Sequence, residues 1–168
     1  VAAHADPGHD NYGRDRSSAY IGFAVGQLRY NEDGLATITP GAAMLRVGAS
    51  LSPNLAFEGR IGGGGGRAAT DYYGVSVKSL YAAYLKGSLP VSPGFSLYGL
   101  GGGASVDLER DFGQATAHDG GFSYGLGADF ALGRGPTLNI EWTRLVSGEN
   151  LGYHYYGDLA SVGLVWHF

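Results

Sequence analysis

The stretch Asp158-Leu-Ala-Ser-Val-Gly-Leu-Val-Trp-His-Phe168 decides the fold. Read with a period of two, Ala160, Val162, Leu164, Trp166 and Phe168 share one face, and Leu159, Ser161, Gly163, Val165 and His167 share the other. The first face is apolar throughout and becomes aromatic towards Phe168. Domain ends normally fray, and large apolar side chains gathered there are expected to be buried in something. The alternation makes this segment a strand, and the medium covering its apolar face is read as lipid.

Bulk composition hides this reading. A length of 168 residues fits one domain, and 44% hydrophobic content would suit a soluble protein. The informative counts are 31 Gly, 12 Tyr, no Cys and one Met, which point to crowded strands in an all-β protein. Glycine without a Gly-X-Y period excludes collagen, and the aliphatic and aromatic content excludes a disordered chain. A net charge of −4 leaves no basic footprint for nucleic acid. The lack of cysteine excludes disulfides and thiolate metal sites. No apolar run reaches the ~18 residues of a membrane helix, but a spanning β-barrel shows only alternating segments of about ten.

Working back from Asp158, seven further alternating segments emerge. Ile21, Phe23 and Val25 oppose Tyr20, Gly22, Ala24 and Gly26. Ala43, Leu45, Val47, Ala49 and Leu51 oppose Met44, Arg46, Gly48 and Ser50. Leu55, Phe57 and Ile61 oppose Glu58 and Arg60. Val77, Tyr81, Ala83, Leu85 and Leu89 oppose Lys78, Ala82, Tyr84, Lys86 and Ser88. In the fifth segment glycines blur the faces, and Tyr98, Leu100, Ala104, Val106 and Leu108 are assigned outward. Phe122, Tyr124, Leu126, Ala128, Phe130 and Leu132 oppose Ser123, Gly125, Gly127, Asp129 and Ala131. Leu138, Ile140 and Trp142 oppose Asn139, Glu141 and Thr143.

The expected fold is an eight-stranded antiparallel up-and-down transmembrane β-barrel over residues 19–168, preceded by a flexible segment, 1–18. Ala3-His4-Ala5 before Asp6-Pro7 either has the form of a signal-peptidase site, making 1–5 an export remnant, or belongs to an ordinary polar leader. Connections at 52–54, 90–94 and 133–136 are short, and those at 31–40, 62–74, 109–120 and 147–155 are long. Short periplasmic turns opposite long extracellular loops are the asymmetry of an outer-membrane barrel. A soluble ligand-binding barrel would bury its large apolar side chains, whereas here they oppose Gly, Ser and charges. The lumen is therefore expected to be polar.

The terminal strand ending in Phe168 resembles the strand by which outer-membrane proteins are recognised for assembly. Tyr20-Ile-Gly-Phe, Leu97-Tyr-Gly-Leu-Gly-Gly-Gly and Ile140-Glu-Trp-Thr-Arg144 resemble the glycine-aromatic strands of the small barrels that include the outer-membrane protein A barrel and the opacity and attachment-invasion proteins. The resemblance spans about Ala19 to Phe168. It implies an integral outer-membrane protein in contact with the lipid bilayer and lipopolysaccharide, handled by the barrel assembly machinery through Val162, Leu164, Trp166 and Phe168. No peptidoglycan-binding domain is expected after Phe168.

Six inward charges, Arg46, Glu58, Arg60, Lys86, Asp129 and Glu141, are expected to form a salt-bridge network that plugs the barrel, since eight strands leave an interior only wide enough for side chains and unpaired buried charges are costly. A conducting pore is the competing reading. Aromatics sort to strand ends: Phe95, Trp166 and Phe168 at the periplasmic side, and Tyr30, Tyr72, Tyr73, Tyr153, Tyr155 and Tyr156 at the extracellular side, as interface belts do. Gly99 to Ala104 imitates a dinucleotide fingerprint but lacks its helix, and Gly62 to Gly66 lacks the Lys-Ser/Thr of a phosphate loop. His154, near Ser147 and Glu149, is the candidate for a lipid-A-modifying enzyme, yet no His-x-Ser occupies one strand face. His118-Asp119 is too sparse for a metal site. The expectation is a monomeric, non-enzymatic barrel without cofactor, structural or adhesive in role. Its four loops, with Asp33, Arg67, Asp71, Glu109, Arg110, Asp111 and Glu149, would meet a host or matrix ligand.

Overall fold

In a computed structural model, described over residues 19–32, 39–64, 68–69, 74–110, 116–150 and 153–168, the alternating segments become strands of one closed sheet. They are β1 (Ala19–Glu32), β2 (Gly41–Ser52), β3 (Leu55–Gly64), the two-residue β4 (Ala68–Ala69), β5 (Gly74–Ser92), β6 (Phe95–Arg110), β7 (Thr116–Ala131), β8 (Thr137–Asn150) and β9 (Tyr153–His167). The order is β3-β2-β1-β9-β8-β7-β6-β5-β4, and an additional β3–β5 pairing closes the ring. Eight strands are staves, all antiparallel to their neighbours, while β4 only adds to the upper edge of β5. The segment from Asp158 to His167 is the seam, in register with β1 from Tyr20↔His167 to Arg29↔Asp158, and Phe168 N donates to Ala19 O at 3.0 Å.

Three tight turns close one end. Gly94 and Gly133 sit in two of them at φ 83° and 68°, where an L side chain would be strained. The 90–94 turn is shorter than the sequence suggests. β5 continues through Pro90, paired with Ser96, and absorbs the missing N–H at a register shift between Pro90 and Ser92. At the other end the strands outrun the expected loops. Asn150 pairs with Tyr153, Glu109 with Thr116, and β3 runs to Gly64.

The outward face carries the large apolar side chains: Phe23, Val47, Phe57, Leu85, Leu126, Ile140 and Val162 are all 45–66% exposed. Outward assignments on two strands, β6 and β5, are corrected. Tyr98, Leu100, Ala104 and Val106 point inward and are buried, and Leu97 and the glycines at 99, 101 and 103 take the outer side of β6. Leu108's side chain lies outside the described residues. Val77 is buried and Lys78 exposed, the reverse of simple alternation, because a register shift between Val77 and Ser79 inserts Lys78 as an extra residue.

Candidate functional site: the barrel interior and its rim

Barrel closure brings inward positions from all eight staves onto one axis, and their sequence divides the interior into two storeys. Nearest the tight turns, the six predicted charges lie together. Arg60 reaches up from β3 between two carboxylates. Its Nε donates to Glu58 Oε1 at 2.6 Å, while Nη1 and Nη2 clasp the Glu141 carboxylate, the latter at 2.8 Å. Arg46 Nη1 donates to Asn139 Oδ1 at 2.8 Å and lies 3.6 Å from Glu141 Oε2. Lys86 Nζ pairs with Asp129 Oδ2 at 2.9 Å. Three cations face three anions, so the storey is neutral, and the Arg60 and Glu141 side chains are at most 1% exposed.

Residues with no assigned role in the sequence reading complete this network. Glu141 also accepts from Tyr98 OH and Thr143 Oγ1, each at 2.7 Å, and Tyr20 OH donates to Glu58 Oε2 at 2.6 Å. Asn139 Nδ2 bridges Tyr98 OH and Asp129 Oδ1. Arg60 lies over the Tyr84 ring, and Lys86 over that of Tyr98 at 3.8 Å. Tyr20 and Tyr84 each lie opposite the apolar face of their own strand, Tyr84 with the parity of Lys86, and that placement is the signal that could have found them. The interior glycines make room for the rings: a Cβ on Gly48 would fall 2.1 Å from Tyr20 Cζ, and one on Gly127 2.3 Å from Tyr98 Cζ.

Above this storey the interior is apolar, which corrects the expectation of a polar lumen. Leu28, Met44, Val77, Leu80, Ala104, Val106, Leu145 and Leu159 pack into one cluster, none more than 6% exposed. Between the storeys, Tyr84 OH donates to Ser123 Oγ, which donates to the Arg144 carbonyl at 2.6 Å. The upper inward positions carry apolar residues because they have no counter-charges: unpaired polar groups there would lose water without replacement.

The outer rim holds a second ionic feature. Arg144 Nε and Nη2 clasp the Asp158 carboxylate at 2.8 and 3.0 Å, with the guanidinium over the rings of Tyr156 and Trp142. Of the predicted interface aromatics, Phe95 packs against Phe130 in a tilted pair at the turn end, with Trp166 and Phe168 exposed there, and Tyr156 stands at the opposite rim. The side chains of Tyr72, Tyr73, Tyr153 and Tyr155, with those of Tyr30, His118, Ser147, Glu149 and His154, lie outside the described residues, as do residues 1–18. Val162 and Leu164 face outward on β9 with Trp166.

Comparison with known proteins agrees with this architecture. Neisserial surface protein A superposes with a TM-score of 0.74 at 11% identity, covering 90% of this chain and 98% of that one. The attachment invasion locus protein of Yersinia pestis gives 0.61 at 16%, covering 88% and 97%. OprG from Pseudomonas aeruginosa gives 0.57 at 11%, covering 91% and 98%. No curated protein matches the sequence significantly. The model of the outer membrane protein beta-barrel domain matches residues 1–168, and with the closed eight-stave ring and its apolar outer wall, it places this chain in the outer membrane protein β-barrel family, as an integral protein of the bacterial outer membrane.

Proposed function

We propose that the protein is a closed, non-enzymatic scaffold that holds its extracellular connections at the cell surface, for envelope integrity or adhesion to host or matrix molecules. The observation that carries this reading is the filled interior: an ion-paired storey and an apolar storey, both buried, lie in series along the axis. A solute path would require both to open, at the cost of the Arg60–Glu141 clasp and the packing around Leu80 and Met44. Paired extensions of β6–β7 and β8–β9 beyond the wall suit the presentation of loops. Among proteins of this fold, the attachment invasion locus protein has been crystallised with the heparin analogue sucrose octasulfate.

On this reading the barrel works as a monomer, sits among phospholipid and lipopolysaccharide, and reaches the membrane through the assembly machinery with Val162, Leu164, Trp166 and Phe168 as its signal. Whole-cell binding by the protein and by a variant with all four loops shortened tests the surface role, and equal binding refutes adhesion. Large, steady single-channel steps in a planar bilayer would refute closure. A changed lipid A mass spectrum on expression would favour the enzyme.

A further inference from the structure

The outer wall formed by β1, β9 and β8 is built in rows. Cross-strand register places Arg29, Asp158 and Arg144 side by side at the extracellular rim, all facing outward. The row beneath is Gln27, Ala160 and Trp142, followed by Val25, Val162 and Ile140, and then Phe23, Leu164 and Leu138. A charged row therefore caps an apolar track, with a small residue, Ala160, at its centre between longer neighbours.

The charges of the top row do not cancel. Arg144 neutralises Asp158 through a bidentate clasp and also has Tyr124 as a side-chain hydrogen-bond partner, while its guanidinium edge bearing Nη1 is not engaged by the Asp158 carboxylate. Arg29, exposed on the other flank of Asp158, has no ion-pair partner among the described residues. Adjacent strands lie about 4.8 Å apart, so the two arginine Cα atoms are separated by roughly 10 Å, and both side chains can converge on one anionic group. Arginine suits this task because its planar fork meets phosphate oxygens bidentately. The row also stands at the level of Tyr156 and Trp142, where aromatic rings meet headgroups.

We infer that the β1–β9–β8 wall is a site for the phosphorylated, multiply acylated glycolipid of the outer leaflet. Arg29 and Arg144 hold a sugar phosphate, and an acyl chain lies along the track that begins at Ala160. This deepens the proposed residence among lipopolysaccharide and is independent of any loop ligand. Lys78, exposed on β5, lies four staves from β9 in either direction and provides a control on the opposite wall.

The test uses the full chain folded in neutral detergent, with thermal unfolding read by loss of the heat-modifiable band during titration with bisphosphorylated lipid A, dephosphorylated lipid A or phosphatidylglycerol. Bisphosphorylated lipid A should stabilise the protein at the lowest concentration. In Arg29→Gln/Arg144→Gln, the concentration needed should rise about tenfold or more, from a several-fold loss per arginine near an anionic headgroup. Lys78→Gln should behave as wild type. The inference is overturned if the dephosphorylated lipid or phosphatidylglycerol serves equally well, or if the double variant matches Lys78→Gln. Should the double variant fold poorly, Arg29→Gln alone, which removes no ion pair among the described residues, reads the same shift. Loop-dependent cell binding would be unaffected by either result, so the two readings fail separately.

Discussion

Replacing Glu141 with alanine removes the carboxylate on which the lower storey converges. Four hydrogen bonds end on it, from Arg60 Nη1 and Nη2, Tyr98 OH and Thr143 Oγ1. Arg60 would keep its 2.6 Å bond to Glu58 and Tyr98 its bond from Asn139, so neither is wholly orphaned. The cost should therefore fall at the lower end of the range for breaking a buried pair, about 3 kcal/mol. The variant also leaves the interior with one cation in excess. Arg46 is the natural one to remove with it, because its Nε and Nη2 are buried without hydrogen-bond partners among the described residues and its link to Glu141 is long, at 3.6 Å. Glu141→Ala/Arg46→Met should consequently be more stable than the sum of the single effects, by roughly 1 kcal/mol or more. Equilibrium urea unfolding in lipid vesicles, followed by the fluorescence of Trp142 and Trp166, measures all four corners of the cycle. Additivity within about 0.5 kcal/mol, or a single-variant cost below about 1 kcal/mol, would refute the account of the storey as a charge-balanced unit.

Leu126, 66% exposed on the outer wall, should destabilise by about 2–4 kcal/mol when changed to Arg if it stands near the bilayer midplane, as the same unfolding assay would show. Gly48→Ala should cost about 1–3 kcal/mol because the new Cβ meets the Tyr20 ring and loosens its bond to Glu58, whereas Gly99→Ala, with its nearest neighbour at 3.7 Å, should stay within about 0.5 kcal/mol; equal effects would deny the interior glycines a packing role. Phe168→Ala should lower the yield of heat-modifiable barrel in cells more than the unfolding midpoint of purified protein, and an unchanged yield would remove Phe168 from the assembly signal.

Strand number, closure and the outward wall were legible because lipid imposes one rule on every stave. The rule reads most cleanly in β7, where Phe122, Tyr124, Leu126 and Phe130 alternate with Ser123, Gly125, Gly127 and Asp129. It misleads in β6, whose outer face carries glycines while Tyr98 and Leu100 fill the interior. Hydropathy ranks those glycines as small and therefore inward, yet lipid tolerates them, while the interior requires a phenol near Glu141. The bulge at Lys78 was illegible because a one-residue insertion is a property of paired strands. The charge cluster was visible from parity alone, but its partners were not: which carboxylate Arg60 meets depends on the stagger between β3 and β8, which lie across the barrel from each other. The rim pair was missed for a similar reason, since Arg144 and Asp158 become neighbours only through the β8–β9 register.

The division of the interior explains how so small a barrel carries six charges at its core. The upper storey, from Met44 to Leu159, keeps water from reaching the ion pairs from the extracellular mouth, which lowers the local dielectric and strengthens each charged hydrogen bond. At the other end Lys86 and Asp129 are the more exposed pair, with side chains 9% and 16% accessible, so the cluster grades into solvent at the periplasmic mouth. An all-ionic interior would need counter-charges at every level, and an all-apolar one would lose the Arg60 bridge between Glu58 on β3 and Glu141 on β8. That bridge crosses the ring instead of following the sheet, and it ties together staves that share no backbone hydrogen bonds. The ionic storey thus ties opposite staves together across the axis, and the apolar storey preserves the strength of that tie.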